Sequence, residues 1–255
     1  MTDTASLIAL SDLPLIRPGD DLAALLGAAI KRRLGELARG DILVIAQKIV
    51  SKAEGRYVDL ARIEPGAEAQ RLARETEKDP RLVQVILDES RRVVRHRPGV
   101  LIVEHRLGYV MANAGVDRSN IDPAMGAEPV LLLPRDPDAS AASLREKLGA
   151  RFGIAPAVIV SDSFGRAWRC GTTGIALGAA GLPALMDLRG QPDLYGRALR
   201  VTETGFADEI ASAASLLMGQ GDQALPAVLL RGLAWSAPPL PASALLRGAE
   251  EDLFR

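Results

Sequence analysis

Hydrophobic residues occur along this chain in two patterns, short continuous runs and helically spaced positions, which predict interleaved strands and helices. The short runs predict strands over residues 42–46, 100–103, 107–111, 130–133, 157–160, 198–204 and 227–230. The helical spacing predicts helices over residues 22–37 (closing at Gly40), 65–78, 80–94, 140–149 and 207–218. Strands and helices alternate irregularly, with hairpins and crossovers both implied. The pattern therefore predicts an α+β fold with mixed sheets rather than a regular doubly wound one.

The length of 255 residues is enough for one large domain or two small ones. We expect one domain over residues 1–240, with a subdomain division near residues 115–150. Residues 241–255 are predicted to form a C-terminal tail, because they follow a segment rich in proline and alanine and end in a short acidic stretch.

Charge and composition narrow the classes of partner. The 31 basic and 32 acidic side chains almost cancel, so no basic excess points to nucleic acid. No apolar run approaches the roughly 20 residues that span a bilayer, and residues 1–9 lack the basic start of a signal peptide. The single cysteine, Cys170, excludes an internal disulfide and suits a reducing compartment. We expect a cytoplasmic protein without a nucleic-acid or membrane partner.

Two strand-like apolar runs each stop at an aspartate, Asp117 in residues 112–120 and Asp162 in residues 158–166. A carboxylate at a strand end is fixed by the sheet yet open to a ligand, and two of them can share a hard divalent cation that holds phosphates. Ser163 adds a hydroxyl beside Asp162. The alternatives are structural: an Asx turn at Asp117, and a turn cap at Asp162.

Two further segments carry candidate phosphate contacts. Lys52 and Arg56 follow the predicted strand 42–46, where cationic side chains can meet phosphate oxygens, although a solvated turn with a Lys–Glu pair is the more common use of such residues. Gly219 and Gly221 flank Gln220 after the last predicted helix. They lack the third glycine of a dinucleotide fingerprint, so either a helix C-cap or a turn that lets amides approach a phosphate fits them.

Several motifs together are similar to one family. Residues 40–56, 112–120, 161–166, 193–197 and 207–219 resemble, in the same order, segments of the coenzyme F420:L-glutamate ligases. The resemblance extends from Leu13 to about Gly232. It implies a distinctive mixed α+β fold with two intimately packed subdomains, a homodimer, and a stand-alone ligase without a C-terminal nitroreductase-like domain.

The resemblance also implies the reaction. Such enzymes are GTP-dependent γ-glutamyl ligases that attach L-glutamate to the terminal carboxylate of F420-0 and extend the γ-linked tail. They use two divalent cations, Mg²⁺ or Mn²⁺, together with K⁺. The simplest chemistry passes through an acyl phosphate and releases GDP and phosphate. Glu54 and Glu203 are candidate bases for the glutamate amine by their chemistry alone.

Individual roles follow from the matching motifs. Asp117 and Asp162 resemble ligands of one metal, and Ser163 resembles a ligand of the second. Gln220 stands where the family supplies another second-metal ligand, glutamate in some relatives. Lys52, with the two aspartates, forms the predicted catalytic set. The predicted nucleotide contacts are Leu13, Pro14, Leu15, Ile16, Gln47, Lys52, Asn120, Gly219, Gln220, Gly221, Asp222 and Gln223.

Two other functions are compatible with the same residues. One is a metal-dependent, nucleotide-using amide ligase or phosphotransferase that acts on another carboxylic acid. The other is a non-catalytic module in which the aspartates and glycine turns only hold GTP or a metal. Nucleotide turnover that depends on the acceptor distinguishes the three.

Overall fold

The computed structural model describes residues 4–253, so residues 1–3 and 254–255 of the predicted domain and tail lie outside it. Its strands are β1 (Ser6–Ala9), β2 (Ile42–Ala46), β3 (Tyr57–Asp59), β4 (Ser90–Arg97), β5 (Val100–His105), β6 (Val110–Ala112), β7 (Pro129–Leu131), β8 (Ala157–Arg166), β9 (Arg169–Ala180), β10 (Met186–Asp187), β11 (Glu203–Thr204) and β12 (Ala227–Arg231). Its α-helices are α1 (Leu22–Leu34), α2 (Gln47–Ala53), α3 (Ala67–Thr76), α4 (Pro80–Asp88), α5 (Pro137–Phe152) and α6 (Phe206–Met218).

The central sheet has the order β1-β12-β2-β8-β9, and only β2 and β8 pair in parallel. Helices cover both of its faces. Leu43 and Ile45 of β2 pack with α1 and α5, whereas Ile42 and Val44 pack with α6 on the other side. Successive strand residues point to opposite faces, so a strand covered on both faces must be continuously apolar. This explains why residues 42–46 were predicted with their observed bounds.

Residues 57–131 build a second group of elements around a hydrophobic cluster of their own. It contains the three-stranded sheet β4-β5-β6, the pair β3-β7, and the helices α3 and α4. Leu72, Ile86, Leu101 and Val130 are buried in this cluster. The predicted α+β class with mixed sheets is therefore confirmed.

Several predicted elements are wrong in extent, and three of them have a clear physical reason. Helix α1 ends at Leu34 because Gly35, at φ 79°, adopts a backbone conformation that ends the helix. The helix predicted to reach Val94 stops at Asp88, and β4 follows it at once, pairing with β5. The strand predicted over residues 198–204 consists only of β11, which pairs with the equally short β10.

A buried ion-pair network joins the two groups of elements. Arg56 lies between α2 and β3, and its guanidinium donates to Glu89 Oε2 at 2.8 Å and to the Leu133 carbonyl at 2.9 Å. Arg106 donates to the same carboxylate at 3.0 Å, while His105 Nε2 lies 3.5 Å away with poor hydrogen-bond geometry. Burial alone would raise the pKa of Glu89, but its neighbours His105, Arg106 and Arg56 outweigh burial and lower that pKa to about 2.

We expect Glu89→Gln to lower the free energy of unfolding by about 3 kcal/mol at pH 7, because the ionised carboxylate stabilises only the folded state. The folded pKa lies below the ordinary value of 4.5, so this contribution is present above about pH 4.5 and is lost as the pH falls towards 2. Urea unfolding of both proteins at pH 7 and pH 3 measures it. A difference in the free energy of unfolding between the two proteins that is as large at pH 3 as at pH 7 would contradict the stabilising role of the Glu89 carboxylate. Glu68→Gln, at an exposed carboxylate on α3, is the control.

The backbones of α5 and β9 pack in close contact. A Cβ at Gly178 of β9 would overlap the carbonyl of Pro137, the first residue of α5. The Pro137 carbonyl belongs to the main chain of α5, and Gly178 belongs to the main chain of β9. Neither backbone can move aside at a small cost in free energy. Only glycine allows the helix to pack at this distance.

We expect Gly178→Ala to destabilise the protein by about 3 kcal/mol, because α5 must shift away from the sheet. The midpoint of urea unfolding measures this. Gly165→Ala, in β8, is the matched control, since no atom lies within 4 Å of the Cβ it would introduce. Equal stability of the two variants would show that α5 has room to move.

Candidate active site

One cavity of about 700 Å³ lies where the parallel pairing of β2 with β8 ends. The predicted site residues that line it are Leu13, Pro14, Leu15, Ile16, Gln47, Lys52, Asp117, Asn120, Asp162, Ser163, Gly219, Gln220, Gly221 and Asp222. They come from five segments that are distant from one another in the chain. The sequence motifs alone do not show that these segments meet at one place; the fold brings them there.

Asp162 lies inside β8, so the prediction that it ends a strand is wrong. The strand continues to Arg166 because β9 pairs with it along this length. The neighbouring strand β2, however, ends at Ala46 opposite Ser161. Asp162 is therefore the first residue of β8 beyond the parallel pair, and it lines the cavity.

The Asp162 carboxylate is poorly neutralised. Burial raises its pKa to about 7; the backbone amide of Ser163 and the charge of Lys48 oppose this rise, and the negative charge of Asp117 adds to it. No side chain in the described part of the protein is seen to hydrogen-bond to it. A cation beside Asp162 would remove this cost.

Asp117 also differs from its prediction, because it follows a short 3₁₀ turn over residues 113–115 rather than a strand. A backbone bridge to Leu131 holds it in place. Its Oδ1 accepts the amide of Ser119 at 2.7 Å and the hydroxyl at 2.8 Å, and its Oδ2 lies 2.6 Å from Lys48 Nζ. Burial would raise the pKa of Asp117, but the hydrogen bonds from Lys48 and Ser119 outweigh it and lower the pKa.

Lys48 and Lys52 lie one turn apart on the same face of α2. Lys52 Nζ donates to the carbonyl of Asn120 at 2.6 Å, and burial, followed by the charge of Lys48, lowers its pKa. Both lysines thus hold the loop that follows Asp117. Sequence analysis did not single out Lys48, although its spacing from Lys52 was a signal that could have identified it. Gln47, at the start of α2, is buried and accepts the Ser51 hydroxyl at 2.8 Å.

The glycine turn after α6 ends the helix and lines the cavity. Gly219 ends the helix at φ 70°, as a C-cap does, and residues 219–222 line the cavity. Gln223 lies beside the cavity rather than in its lining, and its Oε1 accepts the Gly221 amide at 2.9 Å. Asn120 reaches the turn from the opposite side, with Nδ2 3.4 Å from the Gly221 carbonyl.

The donor set suits a hard divalent cation. The atoms are oxygens: the carboxylates of Asp117 and Asp162, the Ser163 hydroxyl and the Gln220 amide. Mg²⁺ and Mn²⁺ prefer such ligands and complete their coordination with water and phosphate, so a full cage of protein ligands is not required. Among residues 4–253, no group of three histidine, cysteine, aspartate or glutamate side chains forms such a cage.

The two glutamates considered as bases lie outside the cavity lining. Glu54 accepts the Arg135 amide at 2.9 Å and the Ser140 hydroxyl at 2.8 Å, so it fastens the start of α5. Glu203 lies in β11 and is exposed.

Within the described range, no helix has the length and apolar character needed to cross a bilayer.

Comparison with known proteins shows the family of the chain. The profile of the family described as F420-0:Gamma-glutamyl ligase matches residues 11–232. A protein of Methanothermobacter thermautotrophicus named coenzyme F420:L-glutamate ligase is 46% identical over 252 residues, covering 98% of both chains. Proteins of the same name from Methanopyrus kandleri (47% over 244 residues, 94% of this chain and 93% of the relative) and Haloarcula marismortui (40% over 255 residues, 98% and 95%) are similar along nearly their whole length.

These matches cover most of the chain, and the relatives exceed 40% identity over almost all of it in two of the three cases. The resemblance seen in the sequence motifs is thereby confirmed. The chain belongs to the F420-0:gamma-glutamyl ligase family.

Proposed function

We propose that this protein is a GTP-dependent γ-glutamyl ligase that joins the terminal carboxylate of F420-0 to the amine of L-glutamate and extends the γ-linked tail. The observation that carries the proposal is the single cavity in which two aspartates, two lysines and a glycine turn meet, in a chain of this family. An anionic nucleotide and an anionic acceptor both need this mixture of cationic groups and metal ligands.

The triphosphate is proposed to lie between α2 and the glycine turn. Lys52 offers a partly desolvated ammonium, which is worth more to a phosphate than an exposed one. Gly219 and Gly221 allow the backbone to approach the phosphates closely. Residues 13–16, which include the exposed Leu15, form one apolar part of the cavity wall and suit the base.

The proposed reaction has two steps. A carboxylate oxygen of F420-0 attacks the γ-phosphorus of GTP, the bond from that phosphorus to the β–γ bridging oxygen breaks, and GDP leaves. The neutral amine of glutamate then attacks the carbonyl carbon of the acyl phosphate, and inorganic phosphate leaves with the former carbon–oxygen bond electrons. The amine loses a proton to a base as the amide forms.

The chain's own residues keep two anions together during the first step. Lys52 and Lys48 supply positive charge beside the transferring group, and Asp117, Asp162, Ser163 and Gln220 are the proposed metal ligands. Divalent cations held there would neutralise phosphate charge and orient the γ-phosphoryl group. K⁺ is proposed as a further activating ion.

The proposed assembly is a homodimer in the cytoplasm. Leu194, Tyr195 and Trp168 project from two exposed segments as large apolar side chains, and such groups suit contact with a second copy. The free thiol of Cys170 suits a reducing compartment.

We expect incubation with F420-0, L-glutamate, GTP, Mn²⁺ and K⁺ to yield products heavier by one or more glutamyl residues, with one GDP released per addition. Mass spectrometry and nucleotide chromatography measure these. Turnover with a different carboxylic acid but not with F420-0 would favour the alternative amide ligase. GTP binding without turnover in the presence of F420-0 and glutamate would contradict the ligase proposal.

We expect Asp162→Asn to lower the rate of glutamate addition by at least about a thousandfold, because it removes a metal ligand that faces the transferring phosphoryl group. Circular dichroism should show an unchanged fold, since asparagine has the same shape and no charge to desolvate. Asp88→Asn, on the exposed end of α4, is the control and should retain full activity. Activity of Asp162→Asn near that of the control would remove Asp162 from the mechanism.

A further inference from the structure

Lys48 occupies the carboxylate oxygen that a divalent cation would need. Its Nζ lies 2.6 Å from Asp117 Oδ2 and donates to the Ser119 hydroxyl at 2.9 Å and carbonyl at 3.2 Å. An ammonium has three N–H donors, so the group is fully satisfied by these contacts. The other oxygen of Asp117 already accepts two hydrogen bonds from Ser119. With both oxygens of Asp117 occupied, a metal must compete for this ligand.

The second carboxylate of the cavity contrasts with the first. Asp162 has no ion pair in the described part of the protein, whereas Asp117 has one with Lys48. Of the two proposed metal-binding carboxylates in the cavity, Lys48 is therefore paired with only one. The lysine and aspartate side chains are 23% and 28% exposed, so both have room to move towards the cavity. Lysine carries its charge on a flexible stem and can exchange one oxygen partner for another.

We propose that Lys48 is an exchangeable counter-cation: it neutralises Asp117 when no divalent cation is bound, and moves to nucleotide phosphate oxygens when a divalent cation takes the carboxylate. The inference rests on the proposed function of the site as a nucleotide and metal centre. It assigns Lys48 a role in the order of binding that Lys52 does not share, because the Lys52 ammonium donates to the Asn120 carbonyl and not to the Asp117 carboxylate.

The consequence is coupling between the two ligands. A divalent cation that binds alone must break the ion pair and leave the ammonium without its carboxylate. A nucleotide that is already bound offers the ammonium new oxygens, so the metal then binds at a smaller cost. By thermodynamic linkage, the metal must strengthen nucleotide binding by the same factor.

The test uses Lys48→Met, which keeps an unbranched side chain nearly as long as lysine and removes its charge. Mn²⁺ binding is measured by the electron paramagnetic resonance of free Mn²⁺, with and without saturating β,γ-imido-GTP. We expect nucleotide-free Lys48→Met to bind Mn²⁺ about tenfold more tightly than the unchanged protein. We also expect the gain in Mn²⁺ affinity on adding the nucleotide to be correspondingly smaller.

Lys52→Met is the matched control, because it removes an equal charge one helical turn away in the same cavity. It should alter nucleotide-free Mn²⁺ affinity less than about threefold while weakening nucleotide binding. Lys48→Arg, which keeps the positive charge, should bind Mn²⁺ as weakly as the unchanged protein. Should Lys48→Met not fold, as judged by circular dichroism, Lys48→Gln provides the same comparison.

The proposal is overturned if the neutral variants bind Mn²⁺ no more tightly than the unchanged protein, including the case in which none binds it. An equal gain in the Mn²⁺ affinity of Lys52→Met also overturns the proposal, because the gain would then come from the lower positive charge of the cavity as a whole. The glutamate-addition assay on the same preparations tests the ligase separately. Ligation without the affinity change refutes the exchange alone, and the affinity change without ligation supports the exchange while refuting the ligase.

Discussion

The parallel register between β2 and β8 is the constraint on which the site depends. The pair ends at Ala46 and Ser161, and the chain continues differently on each side. After β2 it turns directly into α2, so Lys48 and Lys52 rise beside the cavity. After Ser161 the strand β8 continues without its parallel neighbour, so the polar groups of Asp162 and Ser163 face open space. A shift of this register by one residue would move Asp162 to the opposite face of the sheet and away from the cavity.

Stability and function make opposite demands at this edge of the sheet. Burial penalises the charge of Asp162 in the folded chain, and a sequence selected for stability alone would place an uncharged residue there. The surroundings are otherwise strongly stabilised: β2 and β8 are buried on both faces, and the Arg56–Glu89 pair ties α2 to the second group of elements. These contacts allow the fold to tolerate one poorly neutralised carboxylate. The same low polarity strengthens every charge interaction that a bound nucleotide would make.

The sequence predicts best where one physical effect dominates. Residues 42–46 are apolar throughout because both faces of β2 are covered. Such a short continuous run shows neither helical spacing nor alternation, so it indicates a buried strand. The prediction of a helix up to Val94 is wrong because β4 is an edge strand whose exposed side chains are mostly arginines. The spacing of its few apolar residues resembles that of the preceding helix. The length of β8 beyond Val160 depends on pairing with β9, whose glycine-rich sequence gives little signal. The two aspartates and Lys52 could be predicted from their sequence motifs. The contact of Lys48 with Ser119 could not, because it joins residues 71 positions apart and depends on the folded loop.

The loop that carries Asp117 is the part of the site that the sheet does not fix. Asn113, Ala114 and Asn120 all have φ values of 52–53°, a region that costs non-glycine residues about 1 kcal/mol or more each. Such a conformation persists only when surrounding contacts hold it. Here these are the backbone bridge from Asp117 to Leu131 and the two lysines of α2. The two lysines hold different parts of the loop, because Lys48 pairs with Asp117 itself whereas Lys52 holds the neighbouring Asn120 carbonyl. The position of the Asp117 carboxylate therefore depends directly on Lys48, and Lys52 supports only the backbone that follows it.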